Sequence, residues 1–326
     1  MRRLTIARES WPIAGKFTIS RGSKTAADVV TVTLTENGMT GRGECVPYAR
    51  YKETVDGVVA ALETARQPIE AGLTRANIAK HIEPRAARNA LDCALWDLEA
   101  KRAGKPVWQL AGLPAPQTLI TAYTLSLDTP EAMGIAAAKA AHRPLLKLKL
   151  GAEGDVERLA NIRANAPNSR LIVDANEGWT PQTLPAMFAA CATYGVELVE
   201  QPLPASNDEA LRTIARPIAI CADESAHDRE GLHELIGKYD AINIKLDKTG
   251  GLTEALELAK AAEQAGLSIM VGCMLATSLA MAPAMLIASK AAFVDLDGPL
   301  LLAQDRQPGI IFEGSLMQPA QAALWG

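Results

Sequence analysis

Between about position 119 and position 295 the chain carries eight short β-rich runs, spaced about 25 residues apart. They are LITAYTLSL, LLKLKL, LIVDA, VELVE, IAICA, AINIKL, SIMVG and AFVDLD. Helical patterns such as GDVERLANIRANA and TEALELAKAAEQAG lie between them. Strands joined by helices run parallel, and eight even units suit closure into an α/β barrel of the (β/α)8 type. An open doubly wound sheet is the weaker alternative, and no Gly-rich fingerprint follows any strand, so a dinucleotide fold is disfavoured.

The first third has another texture. DVVTVTLTENGMTGRGEC reads as a hairpin turning at Glu36-Asn37-Gly38. Helical patterns follow from about Thr54 to Glu70 and from about Arg85 to Arg102. In the second, Leu91, Ala94, Leu95 and Leu98 share one face and Gly104 lies just past the end. The expected division is an α+β domain over 1–113, completed by a returning tail at 300–326, and a barrel over 114–299.

In a barrel, chemistry gathers where the strands end. Asp174, Glu200 and Asp223 close the third, fourth and fifth runs, Lys147 and Lys149 the second, Lys245 the sixth, and Asp295 and Asp297 the eighth. Three carboxylates at one rim raise each other's pKa unless a cation joins them. With oxygen-only donors, that cation is Mg²⁺ rather than zinc or copper. Lys147 and Lys149 alternate with Leu148 and so share the inward face. Side by side and near a dication, such lysines are expected to have depressed pKa values, as a general base requires. Lys149 and Lys245 come from opposite sides of the ring. Two opposed bases suit removal of a proton from one face of a substrate and its return to the other, which is racemisation or epimerisation. A Schiff-base aldolase and a non-catalytic metal protein are the rival readings.

K-L-K (147–149), D-A-N (174–176), E-Q-P (200–202), D-E-S (223–225) and N-I-K-L-D-K-T-G-G (243–251) together resemble the muconate-lactonizing subgroup of the enolase superfamily. S-R-G-S (20–23), G-E-C-V-P-Y-A-R-Y (43–51), A-R-N-A-L-D-C-A-L-W-D-L (87–98), G-C-M-L-A-T-S (272–278) and D-L-D-G-P (295–299) narrow the likeness to dipeptide epimerases acting on L-Ala-D/L-Glu, enzymes of peptidoglycan breakdown. The resemblance covers nearly the whole chain. It implies that the α+β domain caps the barrel mouth, that one Mg²⁺ binds Asp174, Glu200 and Asp223, and that Lys149 and Lys245 form the acid/base pair with Lys147 assisting. It also implies that Asp295 and Asp297 receive the substrate's α-ammonium and that Arg21, on a cap loop, binds the side-chain carboxylate of the second residue. Cys273 and Met274 would line the pocket, and Ala276, where some relatives carry an acid, would leave room in it. An N-acylamino acid racemase or a cycloisomerase (o-succinylbenzoate synthase or muconate type) on the same barrel is the alternative.

Composition narrows the partners. The net charge of −4 gives no footprint for nucleic acid or an anionic membrane. No apolar stretch reaches the length of a spanning helix, and the first residues lack the apolar core of a secretory signal. Five scattered cysteines, none spaced C-x-x-C, fit a reducing, cytoplasmic compartment. A small dipeptide and a homo-oligomeric assembly are the expected partners.

Overall fold

A computed structural model describes residues 1–326. The chain opens with an antiparallel sheet of β1 (Arg2–Ile19), β2 (Gly22–Glu36) and β3 (Met39–Cys45). Asn37 and Gly38, both left-handed (φ 52° and 78°), make the tight turn between β2 and β3. Helices α1 (Val55–Thr64), α2 (Arg66–Glu70) and α3 (Arg85–Ala103) cover one face of the sheet. The helical pattern expected as one stretch to Glu70 breaks at Ala65, whose backbone leaves helical geometry. The backbone of α3 comes so close to β3 that a Cβ on Gly43 would lie 2.1 Å from the Ala90 carbonyl oxygen. Nineteen buried residues, among them Val32, Leu62, Leu91 and Leu95, form a core of their own here.

Eight parallel strands follow: β5 (Tyr123–Leu125), β6 (Leu145–Lys149), β7 (Arg170–Asp174), β8 (Val196–Glu200), β9 (Ala219–Ala222), β10 (Ala241–Ile244), β11 (Ser268–Gly272) and β12 (Phe293–Asp295). They are ordered in sequence, and the seam between β12 and β5 is joined by Ala122 N donating to Val294 O at 2.8 Å. The run LITAYTLSL, read as one strand, is divided. Its first part, β4 (Leu119–Ile120), pairs with β14 (Leu316–Met317) of the tail, which also pairs with β13 (Phe312–Glu313), in a small sheet. The tail thus touches the barrel as well as the N-terminal sheet, which it meets through Arg306 on Glu44 and Glu9 and through Arg42 on the carbonyls of Ala323 and Leu324.

The period-two geometry of the strands stacks the barrel interior in layers. Ala122, Leu145, Ile172, Leu198, Cys221, Ala241 and Met270, with Phe293 packed against them, form an apolar plug with one residue from each strand or its immediate start. Two residues further along stand Thr124, Lys147, Asp174, Glu200, Asp223, Asn243, Gly272 and Asp295. Two further still come Lys149, Asn176, Lys245, Met274 and Asp297. The barrel therefore becomes polar toward the ends of its strands, and only there.

Candidate active site

Asp174, Glu200 and Asp223 end three adjacent strands or follow them by one residue, and all are buried. Each offers a carboxylate oxygen, and these oxygens lie within 4.8 Å of one another. Glu200 Oε1 accepts from Asn243 Nδ2 at 2.7 Å. Its Oε2 lies 2.6 Å from Lys147 Nζ yet off the direction a hydrogen bond needs. A buried, all-oxygen donor set with one such under-used oxygen fits a hard divalent cation.

Four ammonium groups surround the acids. Lys147, 1% exposed, touches Asp295 Oδ2 at 2.7 Å and Asp174 Oδ2 at 3.2 Å besides Glu200. Lys149 Nζ donates to Asp174 Oδ2 at 2.6 Å, and Lys245 Nζ donates to Asp223 Oδ2 at 2.7 Å. Lys248 donates to Asp223 Oδ1 at 2.5 Å and to the Asp223 and Asn243 carbonyls. Burial pushes Asp174 up, but Lys149 and Lys147 outweigh it and hold the carboxyl well below its usual range. Asp223 is likewise held low against burial by Lys245 and Lys248. Glu200 is pushed up by burial, reinforced by Asp174 and Asp223.

Lys147 and Lys245 depart from the expected depression. Burial alone would lower Lys147 and Lys245, but Asp295, Glu200 and Asp174 raise the first, and Asp223 and Glu200 raise the second, well above the ordinary lysine value. Repulsion between ammonium groups is the weaker effect because each one faces a carboxylate at hydrogen-bond distance.

Above this layer opens a cavity of about 500 Å³ under the cap loops, lined by Arg21, Lys149, Asp223, Lys245, Cys273 and Met274 among others. The Phe17 ring, centred 5.8 Å from Lys149 Nζ, belongs to its wall. Asp295 and Asp297 are not on that wall. Asp295 is taken up by Lys147, and Asp297, two residues past it and beyond the end of β12, accepts from Thr124 N at 2.6 Å. Burial, and then the charge of Asp295, push the Asp297 carboxyl up to about 7. Ala276 does not widen the pocket: it is 1% exposed, packs against Gly298 and is absent from the wall. Arg21 does reach the pocket, but its guanidinium is bound by protein: Nη2 lies 2.7 Å from Glu224 Oε1 and Nη1 donates to Asn176 O at 2.9 Å.

Four residues carry weight in the site beyond those singled out from the strand ends. Asn243 precedes Lys245 by two, the same inward spacing that marks Lys147 and Lys149, so alternation was its available signal. Lys248 follows Lys245 by three, within a short helical turn (Leu246–Thr249). Glu224 and Gln201 sit beside metal-site acids in sequence. Gln201 adopts a left-handed backbone (φ 35°), and its Oε1 accepts from Asp223 N and Ser225 N.

Residues 1–112 match the model of the mandelate racemase / muconate lactonizing enzyme N-terminal domain, and residues 132–309 match that of the enolase C-terminal domain-like family. An L-Ala-D/L-Glu epimerase from Escherichia coli is 46% identical over 96% of this chain and 98% of its own. An N-acetyl-D-glutamate racemase from Pseudoalteromonas is 43% identical over 91% and 95%. A solved enolase family member from Agrobacterium tumefaciens, described as homologous to dipeptide epimerases and holding sodium and L-Ala-L-Glu, superimposes with a TM-score of 0.98 and 54% identity over the full length of both chains.

Proposed function

Because the chain belongs to the mandelate racemase / muconate lactonizing enzyme family of the enolase superfamily, we propose that its Cα chemistry is two-base epimerisation of an acidic dipeptide, with Lys149 and Lys245 as the bases. The protein is a dipeptide epimerase, an isomerase of the L-Ala-D/L-Glu type, and uses Mg²⁺ on Asp174, Glu200 and Asp223. The observation that carries the two-base reading is the placement of Lys149 on β6 and Lys245 directly after β10. They reach the same cavity from opposite sides of the ring, and each is held by a different acid of the triad.

One lysine, in its neutral form, removes the Cα proton of the second residue; the other, as the ammonium, delivers a proton to the opposite face. Asp174, Glu200 and Asp223 would hold the Mg²⁺, which would supply positive charge against the negative charge that develops on the substrate and would draw the acids' charge away from the lysines. Lys147 orients that layer through its three carboxylate contacts. Asp295, whose Oδ1 has no partner, and Asp297 take the α-ammonium on turning from Lys147 and Thr124 N toward the cavity. Arg21 exchanges Glu224 for the side-chain carboxylate, and Cys273 and Met274 shape the wall. The cap of residues 1–113, completed by 300–326, closes over the barrel of 114–299 and excludes water.

A cytoplasmic homo-oligomer fits as well. The five cysteines are free, and Ile120 and Leu316, cross-strand neighbours in the small sheet, expose 48% and 41% of their surface. No helix is long and apolar enough to cross a membrane.

Proton NMR in D2O with Mg²⁺ tests the reading. L-Ala-L-Glu should lose its glutamate Cα signal to exchange while L-Ala-D-Glu appears. The N-acetyl-D-glutamate racemase among the relatives makes N-acetylglutamate the control. If N-acetylglutamate turns over and the dipeptide stays untouched, the substrate is an acylamino acid instead.

A further inference from the structure

Two loops of the cap reach the barrel mouth: the turn at Ser20–Arg21 between β1 and β2, and the segment Tyr48–Lys52 after β3. Both end on one corner of the barrel, Asn176–Glu177, just past β7. Both residues of that corner are left-handed, with φ of 44° and 65°, a conformation that side chains with a Cβ seldom adopt. A corner held this way by non-glycine residues points to a role in the site it borders.

The contacts show what the corner holds. The Asn176 carbonyl accepts from Ser20 Oγ at 3.0 Å and from Arg21 Nη1 at 2.9 Å. The Glu177 carboxylate takes Arg50 as a fork, Nε on Oε2 and Nη2 on Oε1, both at 2.8 Å. It also accepts from Arg21 Nη1 at 3.3 Å and from Ala205 N at 2.8 Å. One carboxylate therefore ties the 20s turn, the 48–52 segment and the chain after β8 together. Arg21 has a second acid in Glu224, whereas Arg50 pairs with no acid but Glu177. Neither the metal triad nor the lysines touch Glu177.

We propose that Glu177 is a positioning residue that docks both cap loops on the barrel mouth and so aims Arg21 into the pocket. It rests on the reading that this pocket receives an acidic second residue. Without Glu177 the two guanidiniums lose their common anchor, the loops open more often, and substrate is held less well. The lysines and acids stand on other elements, so the bound substrate reacts as before. Binding equal in ground and transition state is what such a loss removes, and it appears in KM and not in kcat.

Two readouts test this on the Mg²⁺-loaded, full-length enzyme, using Glu177→Ala, the shape-conserving Glu177→Gln, Arg50→Gln and the Glu177→Ala/Arg50→Gln pair. The first needs no substrate: trypsin cleaves after Arg21, Lys24 or Arg50 only when the loops lift. Loss of one charge-assisted fork should speed cleavage about tenfold, after Arg21, Lys24 or Arg50 in Glu177→Ala and after Lys52 of the same segment in Arg50→Gln, which has lost its own site, and less in Glu177→Gln. The second is kinetic: KM for L-Ala-L-Glu should rise by about the same factor with kcat within about twofold. The double variant should be no worse than the worse single one, because both changes break the same contact. Unchanged cleavage overturns the proposal whatever the substrate proves to be, as does a fall in kcat at constant KM or full additivity in the double variant. Faster cleavage with no dipeptide turnover keeps the docking role and refutes only the substrate reading.

Discussion

On the two-base mechanism proposed above, replacing Lys245 by Ala should separate the two half-reactions that epimerisation combines. Lys245 Nζ sits 2.7 Å from Asp223 Oδ2, an attraction of about 6 kcal/mol at an effective dielectric of about 20. That loss does not strand the acid, because Lys248 holds the other oxygen at 2.5 Å with about the same strength. Asp223 stays ionised, and a like charge has gone from beside the cation, so Mg²⁺ affinity should not fall. The damage is confined to proton transfer on one face. Loss of a positioned base slows that transfer by about 10²–10⁴. Epimerisation followed by NMR in D2O should drop by that factor in Lys245→Ala, while Cα exchange of one epimer stays within about tenfold of wild type. Lys149→Ala should show the mirror image, retaining exchange of the other epimer; there Asp174 keeps Lys147 at 3.2 Å. If either variant epimerises within about tenfold of wild type, or if both retain exchange of the same epimer, the two-base assignment is wrong.

Two other perturbations probe how the cap is fastened. Asp247, buried between Val46 N (3.1 Å) and Asn89 Nδ2 (2.8 Å), is pushed up to about 7 by burial. A carboxyl raised in the folded state contributes stability below its unfolded pKa of about 4 and loses it as pH rises through 7, at most about 4 kcal/mol. Urea melts should therefore show a smaller decline between these pH values in Asp247→Asn, and an unaltered slope would mean that Asp247 ionises freely. Arg306→Met should destabilise more bluntly. Glu44, 1% exposed, would keep Thr277 but lose its one cation at the junction of cap, β11 loop and tail. Breaking a buried pair from one side costs about 3–5 kcal/mol; a loss below about 1 kcal/mol in chemical denaturation would show the pair to be solvated.

Much of the site was legible because strand geometry is local. Alternation alone places Lys147 with Lys149 and Asn243 with Lys245, and the regular spacing of the runs brings their ends to one mouth. The acids at those ends were visible for the same reason, and all three meet within 4.8 Å. The splitting of LITAYTLSL was not legible, since a two-residue strand is created only by its partner Leu316–Met317, almost two hundred residues away.

The sequence by itself determined the barrel, the hairpin-led cap, the triad and the lysines, because each follows from short-range periodicity and from the charge that a residue type carries. Tertiary structure decided what those charges face. The sign of the Lys147 and Lys245 shifts depends on carboxylates brought in from other strands at under 3 Å. Asp297 turns to Thr124 across the barrel seam, and Arg21 and Arg50 converge on Glu177 from loops more than a hundred residues distant. Electrostatic energy falls with distance between atoms, not along the chain, so such pairings exist only once the fold has closed.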